Sequence, residues 1–445
     1  MIKIMNEEEG YFMPKAIPEI LIKRSEALEK YYEKAYPKLA PMVKQCFLNA
    51  IETTVEKLYD GTYFVITGDI PAMWLRDSAA QVHHYIRYAK GDQVLDKIIR
   101  GVLKKQVSFV LLDPYANAFN SEDNGKGYKD ETDQNPGVWE RKYEVDSLCA
   151  PIYLAHAYLE ETGESKIFDE DFLKMIKTIL EVFRTEQDHA ARSPYHFQRH
   201  NGVSTDTLPM EGKGNPVSPC GMTWSGFRPS DDSCTYGYLV PANMMAVKAL
   251  DYAEEIINSF YDDSKTAGEC RKLSDEINTG IQEHAVAEAL GVGKIYAYET
   301  DGRENYLLMD DANSPSLLAI PYLGYTDTQD EMYQRTRKFV LSKENPYYYE
   351  GRYAKGIGSP HTPKGYIWCI SIIMQALTSD DSEEILNCLE MLSRTHGETN
   401  YMHESFHPDK PEEYTRSWFA WANSLFGELL DRLMENDFFK INTDN

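Results

Sequence analysis

Six runs in this chain concentrate residues that can move protons or grip hydroxyls. The run GDIPAMWLRDS at 68–78 sets Arg76 beside Asp77, with Trp74 two residues upstream. A carboxylate accepts and a guanidinium donates, so the pair can hold two neighbouring hydroxyls of a sugar. Asp77 also stands where a helix N-cap would. The run WERKYEVDS at 139–147 packs two cations and three carboxylates behind a tryptophan. It reads as a polar pocket wall or as a solvated charge cluster. WSGFRPSDDS at 224–233 carries adjacent Asp231 and Asp232. If both are partly buried, like charge raises one pKa, as a general acid requires. A nearby helix N-terminus acts the other way, and Ser230 or Asp231 could simply cap that helix.

YLLMDDANS at 306–314 repeats the double acid at Asp310 and Asp311, which turn chemistry explains equally well. GIGSPHTPKGY at 356–366 is a tight loop presenting His361; its spacing matches no phosphate motif. NYMHESFH at 400–407 contains a formal H-E-x-x-H at His403, Glu404 and His407. A zinc peptidase needs both histidines on one helical face. Pro408 disfavours helix at His407, so Glu404 reads instead as a lone carboxylate in a loop.

Helical periodicity dominates the elements that must position these runs. Twelve helices are expected near 26–58, 77–90, 92–112, 145–162, 168–187, 236–260, 263–290, 314–323, 328–342, 365–378, 380–396 and 416–437. Pro37 and Pro41 should bend or divide the first. Extended pieces at 63–67 and 294–297 look like minor hairpins. Links after the even helices are short, and links before them are long: 59–76, 113–144, 188–235, 291–313, 343–364 and 397–415. Six antiparallel helical hairpins closing in a ring give an all-α (α/α)6 barrel with every long loop on one face. All six chemical runs fall in or beside those loops, where sites are usually built. Residues 1–20 are expected to be an N-terminal extension, and 21–445 a single catalytic domain.

Composition narrows the partner. The 445 residues carry 46 Lys and Arg against 71 Asp and Glu, a formal charge of −25. Such a chain repels nucleic acid and anionic lipid. The hydrophobic fraction of 42% supports a large core, and no apolar run is long enough for a membrane span. Seven scattered cysteines form no CxxC pair, and the N-terminus lacks the apolar stretch of a signal peptide. A reducing, cytoplasmic setting is expected.

Taken together, MWLRDS at 73–78, SGFRPSDD at 225–232 and MHESF at 402–406 resemble family 125 of the glycoside hydrolases, over about residues 15–435. The resemblance implies a metal-independent, inverting exo-α-1,6-mannosidase without cofactor, acting on mannose-containing oligosaccharides or N-glycan fragments. It also implies Asp231 as general acid and Glu404 as general base. It places Arg76 and Asp77 around the terminal mannose, with Arg228 and His361 on the pocket wall. Asp232 is the alternative to Asp231 as the acid. Two other classes stay open on residues alone. One is a sugar epimerase or isomerase using His83 and His84; the other is a non-catalytic glycan-binding protein.

Overall fold

The computed structural model describes residues 17–200 and 202–443. Residues 1–16, most of the expected extension, lie outside the described residues. The helices are α1 (Glu19–Ala35), α2 (Ala40–Thr53), α3 (Leu75–His83), α4 (Ile86–Ala89), α5 (Gln93–Leu112), α6 (Val145–Thr162), α7 (Glu170–Glu186), α8 (His189–Arg192), α9 (Pro209–Gly212), α10 (Val240–Phe260), α11 (Ser264–His284), α12 (Glu331–Val340), α13 (Cys369–Leu377), α14 (Ser382–Leu392), α15 (Ala420–Glu435) and α16 (Phe438–Thr443). The expected ring of helical hairpins is the architecture. The break between α1 and α2 falls at Pro37 and Pro41, as read from sequence.

Two kinds of helix start separate the inner layer from the outer. The outer helices α5, α7, α11, α12 and α14 begin at Asp92, Asp169, Asp263, Asp330 and Asp381, each accepting a backbone N–H. The inner helices α3, α6, α10, α13 and α15 begin at Trp74, Glu144, Leu239, Trp368 and Phe419, which are extended and make no side-chain cap. Their positive dipole ends open toward the looped face, where Asn117 O, Ser225 Oγ, Tyr298 O and Thr67 O take the first N–H groups of α3, α6, α10 and α15. Inner helices are buried nearly all round, and α13 is apolar nearly throughout, because it is covered on every side.

Short antiparallel ribbons stitch the long loops in pairs. Met73–Trp74 pairs with Ala118–Phe119, and that strand with Val138–Glu140. Tyr238–Leu239 pairs with Glu299–Thr300, which pairs with Tyr306–Leu307. Ile367–Trp368 pairs with Ser405–His407, which pairs with Lys410–Thr415. A bridge between Gly68 and Phe419 joins the first loop to the last and closes the face. Gly68 has φ +129°, and a Cβ there would lie 2.4 Å from the Trp418 carbonyl oxygen, so the approach requires glycine.

Three expectations of element type fail for local reasons. The helix expected at 314–323 is a series of turns: Pro315 and Pro321 lack N–H groups, and the Asp310 carboxylate takes the N–H groups of Leu317 and Leu318. The helix expected to reach 290 stops at His284, and Val286–Ala289 turns back against Gly293–Tyr296. The first helical pair starts at 19 and ends at Thr53, where Val55–Lys57 pairs with Tyr63–Val65. All seven cysteines are buried and free.

Candidate active site

A cavity of about 1150 Å³ opens on the looped face. Asp231 and Glu404, 173 positions apart in sequence, both line it, together with Arg76, Asp77 and His361. Arg228 does not. It lies behind the wall, where its Nε donates to Glu299 Oε1 at 2.6 Å and its guanidinium sits 5.5 Å from the Tyr298 ring. Glu299 also receives the N–H groups of Thr235 and Tyr236, so Arg228 braces the loop rather than the ligand space.

The centre of the site is Arg76, in the first turn of α3 and 5% exposed. Its Nη1 donates to Glu144 at 2.6 Å and to Asp146 at 2.9 Å. Nε lies 3.5 Å from Asp77, and Nη2 lies 3.7 Å from Asp231. The guanidinium also faces Trp421 at 5.8 Å. Asp77 is not a cap, because α3 begins two residues earlier; it sits inside the first turn and is buried. Burial pushes its carboxyl from 3.8 up to about 6; Arg76 and Arg416 pull against the rise, Asp231 and Asp146 with it.

Asp231 caps no helix either, since α10 starts at Val240. Its backbone is left-handed at φ +66°, an outlier for aspartate outside a helix cap. The conformation is held from three sides. Asp231 N–H donates to Arg228 O, Arg228 N–H to Asp232 O, and Lys142 Nζ donates to Asp231 O at 2.7 Å. Lys142 is itself buried and paired with Asp206 at 2.6 Å. Asn117 Nδ2 donates to Asp231 Oδ1 at 3.2 Å. Burial alone would raise the Asp231 carboxyl. Lys142 and Arg76, a hydrogen bond from Glu144 and the His361 charge outweigh it and hold the group below its ordinary value. The raised carboxyl expected of the Asp231–Asp232 pair is thus not Asp231, whose cations sequence spacing does not reveal.

Glu404 lines the same cavity, buried, directly before the strand Ser405–His407. Arg416 Nη1 lies 3.7 Å from its Oε1, and Asp69 holds Arg416 through an Nε donor bond of 2.9 Å. The zinc-peptidase reading needs a helix here, and the segment bends at Glu404 and leads into a strand at Ser405–His407. His403 is spent on Thr399 and the Arg416 carbonyl and stacks on Tyr414 at 3.7 Å. His361 Nδ1 lies 3.5 Å from Asp232 Oδ1. Burial would lower this imidazole, but Asp232, Asp231 and Glu404 raise it to about 9. One cation on the rim therefore feels both candidate catalytic carboxylates.

Trp74 Nε1, Asp232 Oδ2 and Asn313 Nδ2 are buried on the cavity wall without a protein partner among the described residues. A ligand dense in hydroxyls satisfies such donors and acceptors. His83 and His84 do not serve this cavity. They end α3, about 10 Å along the helix from Arg76, and line a separate hollow. His84 bonds to the Phe47 carbonyl, leaving no acid–base pair for an epimerase at the mouth. Arg416, Asn117 and the Lys142–Asp206 pair were not singled out by sequence; their partners are distant in the chain.

Asp77 makes a stability prediction. A carboxyl raised in the folded state favours folding most when protonated. The penalty is absent below the unfolded pKa of 3.8 and grows until the folded value of about 6 is passed. The rise corresponds to about 3 kcal/mol. Asp77→Asn should therefore melt higher than the parent near neutral pH, with the difference fading toward about pH 4. A melting difference independent of pH would contradict the assignment.

Residues 36–430 match the family model described as metal-independent alpha-mannosidase, GH125. The chain is 47% identical to an alpha-mannosidase of Streptococcus pneumoniae, solved as a non-productive substrate complex with α-1,6-mannobiose. That match covers 95% of this chain and 100% of the other, at a TM-score of 0.91. It is 37% identical to the meiotically up-regulated gene 157 protein of Schizosaccharomyces pombe, over 89% of this chain and 82% of the relative. A glycosidase variant at 12% identity and a TM-score of 0.56 shares the fold, over 92% of this chain and 98% of its own. With its ring of helical hairpins and its carboxylate-lined cavity, the chain belongs to the metal-independent alpha-mannosidases of glycoside hydrolase family 125.

Proposed function

We propose that this glycoside hydrolase is an exo-acting α-1,6-mannosidase that releases terminal mannose with inversion, Asp231 serving as general acid and Glu404 as general base. The observation that supports the reading is that these two carboxylates line one cavity together with Arg76, Asp77 and His361, and that the His361 imidazole feels both. The linkage follows the pneumococcal relative and its α-1,6-mannobiose.

In this reading Asp231 gives its proton to the departing glycosidic oxygen. Glu404 takes a proton from a water attacking C1 from the opposite face. Inversion requires room for that water, which sets the carboxyl groups about 6.5–9.5 Å apart. Positive charge develops on the ring in the transition state, and buried carboxylates stabilise it where water is scarce. Arg76 and Asp77 bind hydroxyls of the terminal sugar. Arg416, 3.7 Å from its Oε1, keeps Glu404 oriented.

The catalytic unit is a single domain, residues 21–445. No described helix is long and apolar enough to cross a membrane. We assign the protein to the cytoplasm on its seven free, buried thiols.

The test is hydrolysis of α-1,6-mannobiose with and without a chelator. Mannose should appear at equal rates, and proton NMR should show the β anomer first. Loss of activity with chelator, or α-mannose first, would overturn the reading. Release of no mannose would favour a glycan-binding role.

A further inference from the structure

A general acid must hold a proton when substrate arrives, yet Lys142 and Arg76 hold the Asp231 carboxyl below its ordinary range. The proton has to reside nearby. Asn117 Nδ2 donates at 3.2 Å both to Asp231 Oδ1 and to Glu144 Oε1, so those two oxygens are no further apart than twice that distance. Glu144 is 1% exposed, at the start of α6, and does not line the cavity that Asp231 lines. Its other oxygen is anchored by Arg76 Nη1 and by the Ser147 hydroxyl at 2.8 Å.

The charges around it are crowded. Arg76 faces it from α3, Asp146 from its own helix, and Asp231 and Cys234 from the loop before α10, while Asn117 also donates to Glu140, the partner of Lys142. Arg76 faces four carboxyl groups at once: Asp77, Glu144, Asp146 and Asp231. Three buried carboxyl groups and a partly exposed fourth around one guanidinium do not all ionise. Burial, with Asp231 and Asp146 alongside, raises Glu144 well above the carboxylate range despite Arg76.

We propose that Glu144 is the proton store of Asp231: the two carboxyl groups hold one proton between them, and Glu144 passes it to Asp231 as the glycosidic bond breaks. The proposal rests on Asp231 being the acid and extends that reading. The proton leaves the Glu144 carboxyl for Asp231 Oδ1, and Glu144 becomes a carboxylate paired with Arg76. Asp231 gives the proton to the glycosidic oxygen, which departs with the bonding electron pair. Glu404 meanwhile takes a proton from the attacking water. That proton is lost to solvent, and solvent returns one to the Glu144–Asp231 pair. Glu144 touches no substrate atom, so it is a positioning and proton-holding residue.

The test combines pH profiles with infrared difference spectra in the protonated-carboxyl region. Glu144→Gln keeps shape but holds no transferable proton. For α-1,6-mannobiose, kcat should fall about 10-fold or more, and the alkaline limb of kcat/KM should move down by about one unit or more. An activated aryl mannoside should change by less than about threefold, because its leaving group needs little protonation. Near neutral pH the protonated-carboxyl band should be lost in Glu144→Gln and kept in Asp231→Asn. If Glu144→Gln does not fold, the Asp231→Asn spectrum decides alone. A band lost in Asp231→Asn, or a Glu144→Gln profile that superimposes on the parent, overturns the proposal. Full mannobiose activity in Asp231→Asn would instead remove the acid assignment itself, whatever the spectra show.

Discussion

Glu404→Gln should lower kcat on α-1,6-mannobiose by about 10³-fold, within the range lost when a positioned general base is removed. The amide has the shape of the carboxylate and keeps an oxygen toward Arg416, which lies 3.7 Å away and is anchored by Asp69. The cavity and its Arg76–Asp77 grip are unchanged. Mannose affinity, measured by calorimetry, should therefore stay within about threefold. Every substrate needs the attacking water, so an activated aryl mannoside should suffer as much as the disaccharide. A variant within about tenfold of the parent rate would remove Glu404 as base.

Asp231→Asn should show the opposite selectivity. The asparagine accepts from Asn117 and sits on the same Lys142-held backbone, but it has no proton to give. Mannobiose turnover, whose sugar leaving group needs protonation, should fall by about 10²–10⁴-fold. The aryl mannoside should fall far less, and the ratio of the two losses is the measurement. Equal losses would point to a structural role. Asp232→Asn is the control. Asp232 faces His361 and the cavity rather than Asn117, so it should affect binding more than the leaving-group ratio.

Much of the architecture was readable because each outer helix announces itself. An aspartate stands just before α5, α7, α11, α12 and α14, and α6 was placed at 145–162 without error. The turns at 314–323 were not readable, because the Asp310 carboxylate that replaces helical bonds there acts from outside the segment. The cavity carboxylates were legible as acid-rich runs ahead of inner helices. Their electrostatics were not. Asp231 answers to Lys142, Arg76 and Glu144, which lie 87 or more positions away. Arg228 sat in the right run but turns to Glu299, behind the wall. Arg416 could not be found at all from spacing; only the fold brings it against Asp69 and Glu404.

A crystal structure of the Glu404→Gln variant with α-1,6-mannobiose tests the opposed-carboxylate mechanism most directly. The glycosidic oxygen should lie about 3 Å from Asp231. C1 should face residue 404 on the other side, with one water between. A disaccharide bound away from Asp231, or one with both side chains on the same face of the sugar ring, would contradict it.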